Sequence, residues 1–171
     1  MLEKFRHIRC FVFDVDGVLT DGNLFVLADG LMARRMNIKD GYALQLAIKK
    51  GYKILIISGG NSPEVKDRLT KLGITDIWMQ TANKPAILES YMQEHALTKE
   101  SVLCMGDDMP DLGMMQLSGL PVCPADAVTE IREISVYVSP FKGGEGCARD
   151  VIEKVLKLRN DWSDNGSVRA H

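Results

Sequence analysis

Short apolar runs alternate along the chain with runs of helical period, and this alternation constrains the fold more than any other feature. The apolar runs predict strands at 9–14, 53–58, 76–80, 101–106, 119–124 and 135–139. The intervening runs predict amphipathic helices at about 41–50, 62–72, 84–95, 109–117, 125–132 and 145–158. Buried strands separated by helices are typical of a parallel sheet covered on both faces. The sequence therefore predicts a doubly wound α/β fold.

Residues 22–38 interrupt this alternation. Asp29 and Gly30 lie between two extended runs, a pattern typical of a β-hairpin. Apolar side chains on both runs need a partner, because a two-stranded hairpin is only marginally stable alone. We expect the hairpin to protrude and to pack on its own domain or on another subunit.

Length and charge limit the function classes. The 171 residues predict one domain at 1–159 and a polar tail at 160–171 that frays or is held only by a partner. Twenty-one basic residues are offset by 23 acidic ones, the net charge is -2, and no dense basic block occurs. We therefore expect no nucleic-acid partner.

The cysteines and the hydropathy pattern point to the cytoplasm. The four cysteines form no CxxC motif and no zinc-ligand spacing, so we expect them to be reduced. The first ten residues are too charged for a signal peptide, and no run of 18 apolar residues could span a membrane. These features predict a cytoplasmic protein without a membrane partner.

Polar residues follow several predicted strands at the point where each strand ends. Ligands of an open α/β sheet bind beyond the carboxyl ends of its strands, so these residues should converge. They are Asp14 and Asp16 after the first strand, Ser58, Gly59 and Gly60 after the second, Lys84 at the helix after the third, and Asp107 and Asp108 after the fourth.

This set fits phosphoryl transfer assisted by a hard cation. Asp14 and Asp107 could bind Mg²⁺, which prefers oxygen ligands and would relieve the repulsion between clustered carboxylates. A carboxylate beside Mg²⁺ can attack phosphorus, and a second carboxylate can protonate the leaving oxygen. A hydroxyl, backbone N–H groups and a lysine would hold the phosphoryl oxygens.

The same residues resemble the four motifs of the haloacid dehalogenase superfamily of phosphohydrolases. The motifs are DVDGV at 14–18, Ser58 after an apolar strand, Lys84, and GDD at 106–108. The run DVDGVLTDG, the hairpin, Asp40-Gly41 and the segment 141–156 more closely resemble the small capless phosphatases of 3-deoxy-D-manno-octulosonate (KDO) 8-phosphate. Phosphatases of nine-carbon keto-deoxy sugar phosphates share this pattern. The resemblance implies a Rossmann-like sheet without a cap domain.

The resemblance also implies roles for four carboxylates. Asp14 is then the nucleophile and a Mg²⁺ ligand, and Asp16 is the general acid and base with its backbone carbonyl on the metal. Asp107 is the third protein ligand, and Asp108 orients metal-bound water. The residues alone leave Asp111 open between a place in the site and a favourable interaction with a helix dipole.

The resemblance also assigns the residues that bind phosphate. The resemblance implies that Ser58 and Lys84 bind the transferring phosphoryl group, helped by N–H groups near Gly59.

One departure concerns substrate specificity. Many phosphatases of the family that this chain resembles have the sequence TGR or SGR after the second strand. Here Gly60 takes the place of that arginine. Glu64 and Arg68 share one face of the next predicted helix and are the other specificity candidates, although they could equally form a surface ion pair.

No segment between the motifs is long enough to form a cap. The resemblance implies a homotetramer in which a neighbouring subunit covers each site, and the C-terminal tail is the other candidate cover. The favoured function is hydrolysis of KDO 8-phosphate through an aspartyl-phosphate, in lipopolysaccharide sugar synthesis. The alternatives are a nine-carbon substrate such as 2-keto-3-deoxynononate (or sialic acid) 9-phosphate, a non-catalytic tetramerisation module, and a phosphotransferase or promiscuous phosphatase.

Overall fold

The computed structural model describes residues 1–169, so the last two residues of the expected tail lie outside the described residues. The strands are β1 Cys10–Phe13, β2 Phe25–Val26, β3 Met32–Ala33, β4 Lys53–Ile57, β5 Asp76–Trp78, β6 Val102–Met105, β7 Leu120–Cys123 and β8 Tyr137–Val138. The α-helices are α1 Leu2–Arg6, α2 Ile38–Lys49, α3 Pro63–Lys71, α4 Lys84–Glu94, α5 Leu112–Leu117, α6 Thr129–Ile134 and α7 Cys147–Leu158.

Six strands form one parallel sheet in the order β5-β4-β1-β6-β7-β8. Every residue of β1 is buried, and its side chains alternate between two cores. Phe11 and Phe13 pack with α1, α2, α3 and α7, whereas Cys10 and Val12 pack with α4, α5 and α6. This three-layer arrangement confirms the predicted doubly wound α/β fold.

The strand register brings the loops after three strands together. Phe13 at the end of β1 is level with Ile56 of β4 and Met105 of β6. After β1 the chain forms β4 and β5 on one side of this strand, and it then crosses over to form β6, β7 and β8 on the other side. The carboxyl end of β1 is therefore a topological switch point. Crevices at such points are where open α/β sheets bind ligands.

The hairpin forms at the predicted place. β2 and β3 pair antiparallel, and the turn between them holds Asp29 and Gly30 at positive φ. Its large apolar side chains, and that of the residue that begins α2, stand in solvent: Leu24, Phe25, Val26, Leu27, Leu31, Met32 and Ile38 are 44 to 73 % exposed. Among residues 1–169, neither the segment from β1 to β4 nor that from Lys84 to β6 contains a cap domain, as predicted.

The C-terminal tail packs on its own chain as far as it is described. The Trp162 ring lies against Tyr42 of α2, and the Arg149 guanidinium lies over the Trp162 ring. Tyr52 donates a hydrogen bond to the Asp161 carboxylate at 2.7 Å. These contacts place the described part of the tail against its own chain, with Trp162 as the main apolar contact among polar residues.

The loop after β1 rests on the segment before α7. The N–H of Gly144 donates to the carbonyl of Val18 at 2.9 Å, and the Cys147 thiol donates to the same oxygen at 3.2 Å. A Cβ atom at Gly143 would overlap the carbonyl oxygen of Gly17, so only glycine allows this approach. The glycine-rich segment near the end of the chain thus supports the first strand's loop.

The remaining expectations concern thiols and membranes. The four cysteines are free thiols, and all are buried. Over residues 1–169 no helix has the length and apolar character needed to cross a bilayer.

Candidate active site

A buried lysine and two carboxylates form the centre of the site. Asp14 leaves the end of β1 and is only 7 % exposed, and Lys84 is the first residue of α4. The Lys84 ammonium lies 2.9 Å from Asp14 Oδ1 and 2.7 Å from Asp111 Oδ1. The Asn83 side chain caps α4 by accepting from the N–H of Ala86 at 3.2 Å, which fixes the start of the helix that carries Lys84.

Burial shapes the protonation of this group. Desolvation, followed by repulsion from Asp111, raises the pKa of Asp14 to about 7. The same causes, with Asp14 added, raise the pKa of Asp107 to about 8. Burial alone would lower the pKa of Lys84, but the two carboxylates outweigh it and the pKa is raised. Negative charge therefore accumulates here beyond what one ammonium ion offsets.

The three carboxylates Asp14, Asp107 and Asp111 offer oxygen atoms within 4.8 Å of one another. Both oxygens of Asp111 already accept hydrogen bonds, one from Lys84 and the other from the N–H of Asp107 at 3.0 Å. Gly17 follows at φ 84°, where a Cβ atom would overlap the Asp107 carboxylate. A glycine at position 17 is therefore required for Asp14 and Asp107 to approach each other.

The loops after β4 and β5 form the wall opposite these carboxylates. Ser58 is 1 % exposed, and its hydroxyl accepts from the N–H of Gly60 at 3.2 Å. A cavity of about 380 Å³ is lined by Asp14, Asp16, Ser58, Gly59, Gly60, Lys84, Asp107 and Asp108, together with Gly22, Thr81, Ala82, Pro110 and Asp111. One cavity thus brings together all the residues that sequence analysis assigned to metal, catalysis and phosphate.

Asp108 is the most peripheral of these. It is exposed, and its Oδ1 accepts from the N–H of Met109 at 2.7 Å, which caps the short turn after β6. Asp111, which sequence analysis left open, is instead buried against Lys84.

Asp16 has a partner that sequence analysis missed. Arg34, which directly follows β3, donates from Nε to Asp16 Oδ1 at 2.6 Å and from Nη2 to Oδ2 at 3.3 Å. In the sequence, Arg34 and Arg35 are only an isolated basic pair. The pairing depends on the path of the hairpin back over the loop after β1, and no local sequence pattern signals it.

The specificity candidates do not share one surface. Gly60 lines the phosphate cavity, whereas Glu64 and Arg68 line a neighbouring, more apolar cavity of about 380 Å³ between the hairpin and α3. Glu64 is exposed and accepts from the Ser62 hydroxyl at 3.3 Å. Arg34 also lines the second cavity.

Comparison with known proteins agrees with this geometry. Residues 70–149 match the family model of the haloacid dehalogenase-like hydrolases. The chain is 33 % identical over 156 residues to the KDO 8-phosphate phosphatase of Escherichia coli K12, covering 91 % of this chain and 83 % of that protein.

Solved structures give the same result. The KDO 8-phosphate phosphatase of Moraxella catarrhalis, in complex with magnesium, phosphate and KDO, superimposes with a TM-score of 0.90 at 30 % identity, covering 94 % of this chain and 92 % of that one. The KDO 8-phosphate phosphatase of Yersinia pestis superimposes with a TM-score of 0.90 at 29 % identity, covering 94 % of this chain and 86 % of that one. The resemblance inferred from the motifs is confirmed, and the chain belongs to the haloacid dehalogenase-like hydrolases, in the family of the KDO 8-phosphate phosphatases.

Proposed function

We propose that this protein is a Mg²⁺-dependent phosphomonoesterase that hydrolyses KDO 8-phosphate to KDO and phosphate, in lipopolysaccharide sugar synthesis. The observation that carries the proposal is the single cavity at the switch point of the sheet, where Asp14, Asp16, Ser58, Lys84 and Asp107 converge. Relatives with that activity match nearly the whole chain.

The residues present fit a magnesium ion. The donors are hard carboxylate oxygens with no thiolate or imidazole among them, as Mg²⁺ prefers. The raised pKa values of Asp14 and Asp107 indicate that their charges are poorly compensated without a cation. We propose Asp14, Asp107 and the backbone carbonyl of Asp16 as the ligands. When bound, Mg²⁺ would neutralise phosphoryl oxygens and hold both carboxylates ionised.

Asp14 is the proposed nucleophile. A carboxylate oxygen of Asp14 attacks phosphorus, the bond from phosphorus to the sugar oxygen breaks, and Asp16 gives its proton to that leaving oxygen. A water molecule then attacks the phosphorus of the aspartyl-phosphate while Asp16 takes up its proton. Phosphate leaves, and the Asp14 carboxylate and the protonated Asp16 are regenerated.

Other residues of the cavity hold the phosphoryl group and the catalytic lysine. We propose that Lys84, the Ser58 hydroxyl and N–H groups near Gly59 bind the phosphoryl oxygens. Asp111 positions Lys84, since its two oxygens are bonded to Lys84 and to the backbone of Asp107. Asp108, at the rim of the cavity, would orient water beside Mg²⁺ when the ion is bound.

The experiment that tests the proposal is phosphate release with Mg²⁺ from KDO 8-phosphate and from 2-keto-3-deoxynononate 9-phosphate. We expect a clear preference for the eight-carbon ester. Preference for the nine-carbon ester would transfer the assignment to that substrate and to the second cavity, where Glu64 lies. Release from neither ester would favour the non-catalytic module.

We further propose a homotetramer in which the hairpin is the assembly element and a neighbouring subunit covers the site. Support comes from the row of exposed apolar side chains on the hairpin, which includes Phe25 at 60 % and Val26 at 73 % exposure. Isolated apolar side chains are ordinary on surfaces, but contiguous ones commonly mark an interface. A site without a cap domain needs a cover to exclude water.

The assembly proposal predicts the effect of a charge on the hairpin. Val26→Asp should shift the elution volume from that of a tetramer to that of a smaller species and lower activity, because a carboxylate would be buried in the interface. Leu2→Asp, at an apolar residue 61 % exposed on α1, is the control and should change neither quantity. A wild-type protein that elutes as a monomer with full activity would exclude the tetramer.

Two further expectations remain proposals. We propose that residues 1–159 are the single catalytic domain, with residues from 160 onward as an appended tail. We also propose a cytoplasmic location, supported by the four buried free thiols.

A further inference from the structure

Arg34 is almost completely buried although it lies on the hairpin. Its side chain is only 6 % exposed, whereas that of its partner Asp16 is 37 % exposed. The guanidinium donates to both carboxylate oxygens, and such side-on pairing fixes the orientation of the carboxylate plane. The neighbouring Arg35 points elsewhere, pairing with Asp21 at 2.9 Å, and its side chain is 61 % exposed.

The glycine at position 60 makes room for this pair. A Cβ atom at Gly60 would lie 2.8 Å from Asp16 Oδ2 and 3.2 Å from Arg34 Nη2. The first distance is shorter than a carbon atom and an oxygen atom tolerate. Any side chain at position 60 would therefore displace the Asp16 carboxylate, the Arg34 guanidinium or both.

The two oxygens of Asp16 are held unequally. Oδ1 has the short contact of 2.6 Å with Arg34 Nε, whereas Oδ2 has the longer contact of 3.3 Å with Nη2. Oδ2 is also the oxygen next to Gly60, which lines the phosphate cavity. Arg34 thus holds Oδ1 more closely, while Oδ2 accepts the longer hydrogen bond at the wall of the cavity.

We infer that Arg34 is a positioning residue that aims Asp16 at the leaving oxygen of the substrate, and that Gly60 provides the space this requires. The inference rests on the proposed function, because it concerns how Asp16 delivers its proton. Arg34 acts through Asp16, and its side chain connects the hairpin to the loop after β1.

This role predicts a dependence on the leaving group. A sugar alkoxide is a poor leaving group and needs a proton, whereas p-nitrophenolate leaves without one. Arg34→Ala should lower kcat/KM for KDO 8-phosphate about 10²-fold, the size expected when a catalytic group is misplaced by about an ångström. For p-nitrophenyl phosphate the loss of kcat/KM should stay below about 3-fold, because kcat/KM reports only the transfer to Asp14, in which p-nitrophenolate needs no general acid. The later hydrolysis, in which Asp16 acts as the base for both esters, does not enter this ratio.

Three further variants sharpen the test. Asp16→Asn should show the same selective loss of kcat/KM on the sugar ester. Gly60→Ala should resemble Arg34→Ala, and the double variant should be no worse than the poorer single one, because residues in one unit are not additive. Arg35→Ala is the matched control and should leave both esters unaffected.

Four results would overturn the inference. An equal loss on both esters would assign Arg34 a general structural role, and no loss on either would assign it none. A raised KM with unchanged kcat on KDO 8-phosphate, without any effect on glucose 6-phosphate, would make Arg34 a ligand for the substrate carboxylate. A wild-type protein that releases phosphate from none of these esters would refute the proposed function, and this inference with it.

Discussion

Asp14→Asn is expected to abolish phosphate release from KDO 8-phosphate, with kcat reduced more than about 10⁴-fold. The amide cannot form the aspartyl-phosphate, and it removes one of the proposed metal ligands. The measurement is phosphate release under saturating Mg²⁺ and substrate. Asp67→Asn is the control, because Asp67 is an exposed residue of α3 that pairs with Lys71, and it should keep full activity.

Loss of folding would not explain this result. The pKa of Asp14 is raised to about 7 by burial and by Asp111, so at pH 8 the wild-type protein carries a buried charge that opposes folding. That cost decreases as the pH falls below 7 and the folded carboxyl binds a proton, and it is gone near pH 3.8, where the unfolded chain binds the proton as well. Without Mg²⁺ at pH 8, Asp14→Asn should therefore unfold at a temperature equal to or above that of the wild type. Measurable turnover by a folded Asp14→Asn protein would refute the assignment of the nucleophile.

Lys84→Met is expected to lower the free energy of unfolding by about 3–5 kcal/mol at pH 8 in the absence of Mg²⁺. The substitution keeps the volume but leaves Asp14 and Asp111 without the ammonium ion that lies 2.9 and 2.7 Å from them. At pH 5 the loss should be smaller, since Asp14, whose pKa burial already raises to about 7, binds a proton there more readily once its cation is gone. Urea unfolding at the two pH values measures both effects.

A second substitution separates stability from catalysis. Asp111→Asn combined with Lys84→Met removes one uncompensated charge and should recover part of the lost stability. Activity should not return, because no ammonium ion remains to bind the phosphoryl oxygens. If Lys84→Met alone were as stable as the wild type, the buried ion pairs described here would not contribute as stated.

The sheet was predictable because its strands are short, apolar and buried on both faces. The ends of the helices were less predictable from the sequence. We expected a helix from about residue 41, but α2 begins at Ile38, because the Asn37 side chain accepts from the N–H of Lys39 at 2.8 Å and caps the helix earlier. The helix α1 was missed because only one of its residues, Phe5, is buried, which gives no periodic signal.

The residues of the candidate site also differ in how far the sequence predicts them. Asp14, Ser58 and Asp107 follow directly from the rule that ligands bind at strand ends, because each lies within two residues of a buried strand. The pairing of Arg34 with Asp16 depends on the path of the hairpin back over the first loop, which no local pattern specifies. Asp111 is similar, since a helix dipole and a buried lysine both favour an acid at that position.

The contact between Gly144 and the carbonyl of Val18 has a consequence for protein synthesis. A chain translated only as far as residue 140 holds every proposed catalytic residue but lacks the segment on which the loop after β1 rests. We therefore expect the nucleophile's loop to become ordered only when the last part of the domain has left the ribosome. We expect nascent chains of this enzyme to remain inactive until translation is almost complete, which would prevent hydrolysis by partly made subunits.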